Sequence, residues 1–202
     1  VASDYQRQSA LAHLHLHARA GKGLPAAAVT LCERPYRGQL LLRGEVSDTG
    51  FATAIAQVLG VGLPMEPNTS ASVERCTALW LGPDEWLIII PDGGETETLS
   101  ALTAALSGRH HAVTDVSDGR AVIGLAGARA RDVLMKGCSL DLHPRAFAAG
   151  QCAQTRLARC HVLLHQIEAT PTYDVYTQRS FADYVWRWLE DAAREYKVAV
   201  VI

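Results

Sequence analysis

The sequence predicts an α+β fold: two tandem ferredoxin-like βαββαβ units sharing one core. Three observations predict it. Apolar strands and amphipathic helical stretches follow each other in the order β-α-β-β-α-β, and that order recurs. The two passages also match locally. Leu42-Arg43-Gly44 leads to a helix from Phe51 to Leu59 and then to Gly60-Val61-Gly62-Leu63, while Gly124-Leu125-Ala126-Gly127 leads to Ala130–Leu134 and then to Lys136-Gly137-Cys138-Ser139-Leu140. Finally, 202 residues divided between two such units leave each too small to stand comfortably alone, so the units are expected to pack together as one compact subunit. The organisation read from this is an N-terminal arm over 1–38, a first unit over 39–116 and a second over 117–202.

The elements follow in order. Gln39–Gly44 reads as a buried strand. Asp48 or Thr49 can cap a helix whose Phe51, Ile55, Val58 and Leu59 fall on one stripe. Gly60 and Gly62 stop it, and Pro64 and Pro67 mark a loop. Ala78–Leu81 and Trp86–Ile90 form a hairpin about the turn Gly82-Pro83-Asp84-Glu85. Leu99, Leu102 and Leu106 place residues 95–107 on a helix, and His111–Val116 is a strand. In the second passage Arg120–Leu125 is a strand, and a helix from Ala128 to Lys136 turns Ala130, Val133 and Leu134 inward. Residues 155–168 read as one long strand and Thr172–Thr177 as another. Ser180 opens a helix to about Tyr196, with Phe181, Val185, Trp188 and Ala192 as its inward stripe. Val198–Ile202 closes the chain.

Hydrophobic residues at 49% and charged ones at 20% exclude disordered and collagen-like architectures. The longest aliphatic or aromatic run, Trp86–Ile90, is far short of a membrane span. With Asp4 and Arg7 near the start and no apolar run behind them, no signal peptide is visible. Net charge is −2, but it is patterned. Residues 1–44 hold six basic and two acidic groups, 45–118 two and eleven, 119–165 seven and two, and the rest four and six. The acidic block would repel a phosphate backbone, which argues against nucleic acid. Opposed blocks complement each other or a protein partner, or form a solvated face. Cys32, Cys76, Cys138, Cys152 and Cys160 are odd in number and lack C-x-x-C spacing. Reduced thiols in a cytoplasmic protein are the simplest account.

The residues with chemical potential are few. On a strand, His13, His15 and His17 would face one way as a metal ligand set; no acid or cysteine nearby completes it, and a solvated or partner-facing arm is the alternative. Asp115 and Asp118 flank Ser117 and read as a turn rather than a carboxylate pair. His143 opens a loop, and Cys138 has Lys136 nearby but no base. Nucleotide and nucleophile motifs are missing. The tryptophans carry more information. Trp80 and Trp86 bracket the hairpin turn. Trp186 lies off the inward stripe beside Asp183, Arg187 and Glu190, either as an anchor for a partner or flat over its own helix. Trp186, Trp80 and Trp86, with Arg129 and Arg131 on the charged helix, are the candidate partner contacts. No catalytic, cofactor-binding or metal-binding residue is assigned.

Several long motifs resemble the gamma-subunit family of heterotetrameric sarcosine oxidase. They are Glu33-Arg34-Pro35 with Leu41–Gly44, Leu79–Ile88, Thr114–Arg120, Leu134–Phe147 with Gly150–Thr155, and Arg179–Leu189. The stretch from Gly127 to Leu134, with Asp141-Leu142 and Phe147, is also similar to the folate-dependent aminomethyltransferases typified by the glycine-cleavage T-protein. This chain lacks the length of the full three-domain transferase. The resemblance implies an aminomethyltransferase-like fold and a non-catalytic, structural role beside alpha, beta and delta subunits, chiefly alpha. It further implies a complex that oxidises sarcosine to glycine and hydrogen peroxide and forms 5,10-methylenetetrahydrofolate when tetrahydrofolate is present. FAD, FMN, NAD and zinc are then expected on the other subunits and none on this chain. An independent folate-binding or aminomethyl-transferring protein, and a metal-binding module built on the N-terminal histidines, are the alternatives.

Overall fold

Two sheets packed back to back, each covered outside by two helices, make up the fold. A computed structural model describes residues 7–21 and 27–202; Asp4 lies outside them. A short 3₁₀ turn at Ala12–Leu14 precedes α1 (Leu16–Arg19), β1 (Val29–Glu33), β2 (Gly38–Gly44), α2 (Thr49–Leu59), β3 (Ser70–Val73), β4 (Cys76–Gly82), β5 (Glu85–Ile90), α3 (Glu95–Ala105) and β6 (His111–Asp115). The second half holds β7 (Arg120–Ala126), α4 (Ala130–Met135), β8 (Cys152–Leu157), β9 (Cys160–Glu168), β10 (Thr172–Gln178), α5 (Ala182–Ala193) and β11 (Val198–Val200).

The five-stranded sheet runs β3-β4-β5-β2-β6, and the six-stranded sheet β11-β1-β7-β10-β9-β8. With β3 set aside, the first sheet has the ferredoxin-like neighbour order. With β1 and β8 set aside, so does the second, and this common order carries the repeat seen in the sequence. Alternation on β5 explains the layering. Trp86, Ile88 and Ile90 face α2 and α3 with Phe51, Ile55 and Leu102. Leu87 and Ile89 face the other way, into the seam between the sheets, where they meet Val122, Leu163 and Tyr176. A strand buried on both faces reads as a continuous apolar run, which is the sequence of Trp86–Ile90. The third core lies under α4 and α5, with Leu31, Ile123, Val133, Val175 and Trp186.

Local signals account for most boundaries. The Asp48 carboxylate accepts a hydrogen bond from the Gly50 N–H at 2.9 Å and caps α2. Gly60 at φ +70° ends it. On α4, Ala130, Val133 and Leu134 are buried as expected.

Four expectations need correction. The segment 1–38 is more than an arm, because β1 pairs parallel to β11 and antiparallel to β7 inside the six-stranded sheet. Strand β3, at a sheet edge, falls in what reads as loop. The long strand over 155–168 is a hairpin, β8 and β9, turning at Ala158-Arg159 with Ala158 at φ +51°; no glycine, proline or asparagine marks that turn. On α5 the inward residues are Ala182, Val185, Trp186, Leu189 and Ala193, one position on from the expected stripe. Ser180 accordingly sits in a 3₁₀ turn, and α5 carries no side-chain cap.

Candidate partner-binding surface

The five candidate contact residues separate by burial. Trp186 is 0% exposed, so it supports the chain's own core rather than a partner. Trp86 is also 0% exposed; its indole N–H donates to the Pro64 carbonyl at 2.9 Å, and its ring lies 6.1 Å from that of Phe51. Both assignments as surface contacts are therefore corrected. Their inward direction follows from strand alternation for Trp86 and helix phase for Trp186. Trp80, opposite Trp86 across the hairpin, is half-buried and reaches solvent. Arg129 pairs with Asp132 at 2.8 Å and stacks 4.8 Å over the Tyr196 ring. Arg131 is half-buried beside Tyr173, whose phenol burial pushes up in pKa while the guanidinium opposes. Trp188 is half-buried and covers Gly137, where a Cβ would come within 2.4 Å of its ring. Phe181 and Tyr184 are exposed on the same helical face as Trp188, a spacing of three and four residues.

The other residues singled out have structural partners. His13 Nε2 meets Asp183 at 2.8 Å, and Arg19 pairs with Glu190, so the N-terminal segment lies along α5. His15 is left-handed at φ 49°, which breaks any common face for the three histidines. Among the described residues no group of three or more His, Cys, Asp or Glu side chains comes together. The Ser117 hydroxyl and N–H both donate to Asp115, at 2.6 and 2.9 Å, which makes the expected turn. His143 Nδ1 accepts from the Arg145 N–H at 3.2 Å, holding its loop. Lys136 bonds Glu195 and the Ala192 carbonyl rather than Cys138, whose sulfur lies 3.7 Å from the Thr155 hydroxyl. The five cysteines are free thiols.

Two buried polar constellations give no signal in the sequence. Cys32, Gly124 and Asp174 stand in one row across β1, β7 and β10. Arg34 reaches over that row to Asp174, with Nε 2.5 Å from the carboxylate. Burial pushes the Asp174 carboxyl up, and the arginine opposes it. Only glycine fits at 124, since a Cβ there would meet Cys32 Sγ at 2.5 Å and Arg34 Nε at 3.0 Å. The second constellation joins the sheets. His165 on β9 lies 3.0 Å from the Ser70 hydroxyl on β3, which itself donates to the Gly150 carbonyl at 2.8 Å.

An open cavity of about 480 Å³ lies at the end of the seam, with Leu81 on one side and Arg120, Gln154, Arg156, His161 and Gln178 of the six-stranded sheet on the other. Among the described residues that line it, none is an aspartate or glutamate.

Comparison with known proteins decides the family. Residues 43–195 match the family described as sarcosine oxidase, gamma subunit family. The chain belongs to that family. A sarcosine oxidase subunit gamma from Corynebacterium sp. (strain P-1) is 39% identical over 183 residues, covering 90% of this chain and 88% of the relative. Another from Corynebacterium sp. (strain U-96) is 36% identical over 202 residues, covering 100% and 97%. Among solved structures, a chain of the heterotetrameric sarcosine oxidase from Corynebacterium sp. U-96 superposes with a TM-score of 0.83 at 36% identity, over 97% of this chain and 99% of that one. The glycine cleavage system aminomethyltransferase T from Bartonella henselae gives a TM-score of 0.63 at 15% identity, over 93% of this chain and 49% of that one. That likeness is one of fold, and it agrees with the aminomethyltransferase-like architecture expected for the family.

Proposed function

We propose that this chain is the structural, non-catalytic gamma subunit of a heterotetrameric sarcosine oxidase, packed chiefly against the alpha subunit and joined by beta and delta subunits in the cytoplasm. The assembly oxidises sarcosine to glycine and hydrogen peroxide and captures the one-carbon unit as 5,10-methylenetetrahydrofolate when tetrahydrofolate is present. FAD, FMN, NAD and zinc belong to the other subunits in this reading. The observation that carries it is the end-to-end match to a chain of a heterotetrameric sarcosine oxidase, at 36% identity over 97% of the sequence. Trp80, Arg129 and Arg131 remain the partner contacts of the sequence reading. The exposed Phe181 and Tyr184, beside half-buried Trp188, replace Trp186 as the aromatic group at α5 open to a neighbour.

The test is co-expression of the four subunits with this chain tagged. Three partners carrying the flavin absorbance should arrive with it, and the complex should release hydrogen peroxide on sarcosine. The chain expressed alone should elute from gel filtration without flavin. A lone chain that keeps flavin, or that transfers an aminomethyl group to tetrahydrofolate unaided, would overturn the proposal.

A further inference from the structure

The register of the six-stranded sheet sets three basic side chains and a glutamine in one row across four strands. Arg120 on β7 is opposite Gln178 on β10, and Arg156 on β8 is opposite His161 on β9. Thr177 pairs with Val162, so the next residues, Gln178 and His161, are neighbours. The row therefore runs Arg120, Gln178, His161, Arg156. By alternation it shares a face with Val122, Tyr176 and Leu163, which lie in the seam between the sheets. The seam closes over those residues but stops at Leu81, and the basic row lies beyond, in the open cavity.

Among the described residues no acidic side chain bonds to this row. One Nη of Arg120 is buried without a hydrogen-bond partner among the described residues. Burial pushes the guanidinium pKa down, and Glu85 pulls the other way without bonding it. Arg156 and His161 are exposed, and among the described residues neither makes an ion pair. A buried cation left unpaired costs stability, and a carboxylate brought to it removes that cost.

We propose that this open part of the sheet face docks a carboxylate-bearing extended segment of another subunit, its acids reaching Arg120 and Arg156. The proposal rests on the subunit reading above. The geometry favours a chain segment over a compact ligand. Three strand spacings put Arg120 and Arg156 about 14 Å apart, and an extended segment crossing the strands would carry acids four residues apart over about that same distance. The Gln154 side-chain amide, held by the Leu81 carbonyl at 2.9 Å, forms the wall against which such a segment would lie.

The test uses the four-subunit complex with Arg156→Glu, Arg120→Gln and Arg120→Lys variants. It measures retention of this chain on dilution at low and high salt, alongside the thermal midpoint of each free chain. Arg156→Glu should weaken retention by about tenfold or more and flatten its salt dependence, since a like charge now faces the partner's acids. Arg156 is exposed, so that variant should keep the free chain's midpoint. Arg120→Gln should weaken retention without lowering the midpoint, because it removes a half-buried charge whose buried Nη has no partner among the described residues. Arg120→Lys should retain more than Arg120→Gln. Unchanged retention with Arg156→Glu would overturn the proposal. So would succinate stabilising the free wild-type chain but not Arg120→Gln while retention stays unchanged, which would give the face to a small acid. If the wild-type chain itself failed to co-purify, the subunit reading would fall first.

Discussion

At the scale of single residues, His165 shows how a polar group is kept inside the fold. The Ser70 hydroxyl gives its proton to the Gly150 carbonyl, so the imidazole must donate from Nε2 to the serine oxygen. That fixes the neutral tautomer. Burial pushes the imidazole pKa down from 6.5 to about 4. The sign follows directly. Above 6.5 both folded and unfolded chains are neutral at this site, and the contribution is complete. As pH falls from 6.5 toward 4 the unfolded chain takes a proton that the folded one refuses, and stability is lost, by roughly 3 kcal/mol at most. Urea midpoints of wild type and His165→Gln, compared near pH 7 and near pH 5, should show a smaller acid loss in the variant. Equal losses would mean that His165 does not govern this window. Nothing in the sequence around His165 announces this role, because its partner Ser70 is 95 positions away on a strand that reads as loop. Gly124 is a similar case. The sequence marks it only as a glycine within the strand Arg120–Leu125, whereas its necessity comes from Cys32 and Arg34, brought alongside by β1.

At the scale of elements, α5 shows where periodicity falls short. Two stripes fit its sequence, both containing Val185. One takes Phe181, Trp188 and Ala192; the other takes Ala182, Trp186, Leu189 and Ala193. The second wins because Val185, Trp186 and Leu189 together form a broad apolar face, while Phe181 and Trp188 are flanked by the polar Asp183, Arg187 and Asp191. Small Ala182 and Ala193 let the helix ends approach the sheet. The consequence is measurable. Trp186→Ala should empty a fully enclosed site and destabilise the chain by about 3–5 kcal/mol. Trp188→Ala should cost less and leave a folded chain, since its ring is half-buried over Gly137. Chemical denaturation of both variants ranks them, and a larger loss for Trp188→Ala would reverse the assigned helix phase. Elements with strong local punctuation, such as α2 between Asp48 and Gly60 or the β4–β5 hairpin about Pro83, were legible from sequence. The β8–β9 turn was not, because Ala158 adopts its positive φ under the constraint of its surroundings, including the hydrogen bond from its N–H to the Gly137 carbonyl at 2.8 Å.

At the scale of the whole molecule, the duplicated element order was legible because each unit buries its own strand–helix pattern, and that periodicity is local. What joins the halves was not, because it depends on residues far apart in sequence. The seam is built from Leu79, Leu87 and Ile89 of one sheet with Val122, Leu163 and Tyr176 of the other. Strand β1 is the deeper break in the symmetry. It enters the second sheet between β11 and β7, where a plain repeat would pair those two directly. Its Leu31 is 0% exposed, and Arg34 just beyond it is the partner of buried Asp174. Removing the first 38 residues would therefore do more than shorten an arm. It would leave β7 and β11 with unpaired backbone edges, expose Ile123 and Leu125, and strand the Asp174 carboxylate without its cation; leaving such a buried charge unpaired by itself costs about 3–5 kcal/mol. That loss is a large part of the stability of an ordinary domain. A chain starting at residue 39 should accordingly show no cooperative thermal transition by circular dichroism, whereas the full chain should melt in one. Arg34→Met in the full chain separates the causes. It removes the cation but keeps the strand, so it should lower the midpoint yet preserve cooperativity. If the truncated chain melted as sharply as the full one, β1 would be an addition to the sheet rather than part of what holds its two flanking strands in place.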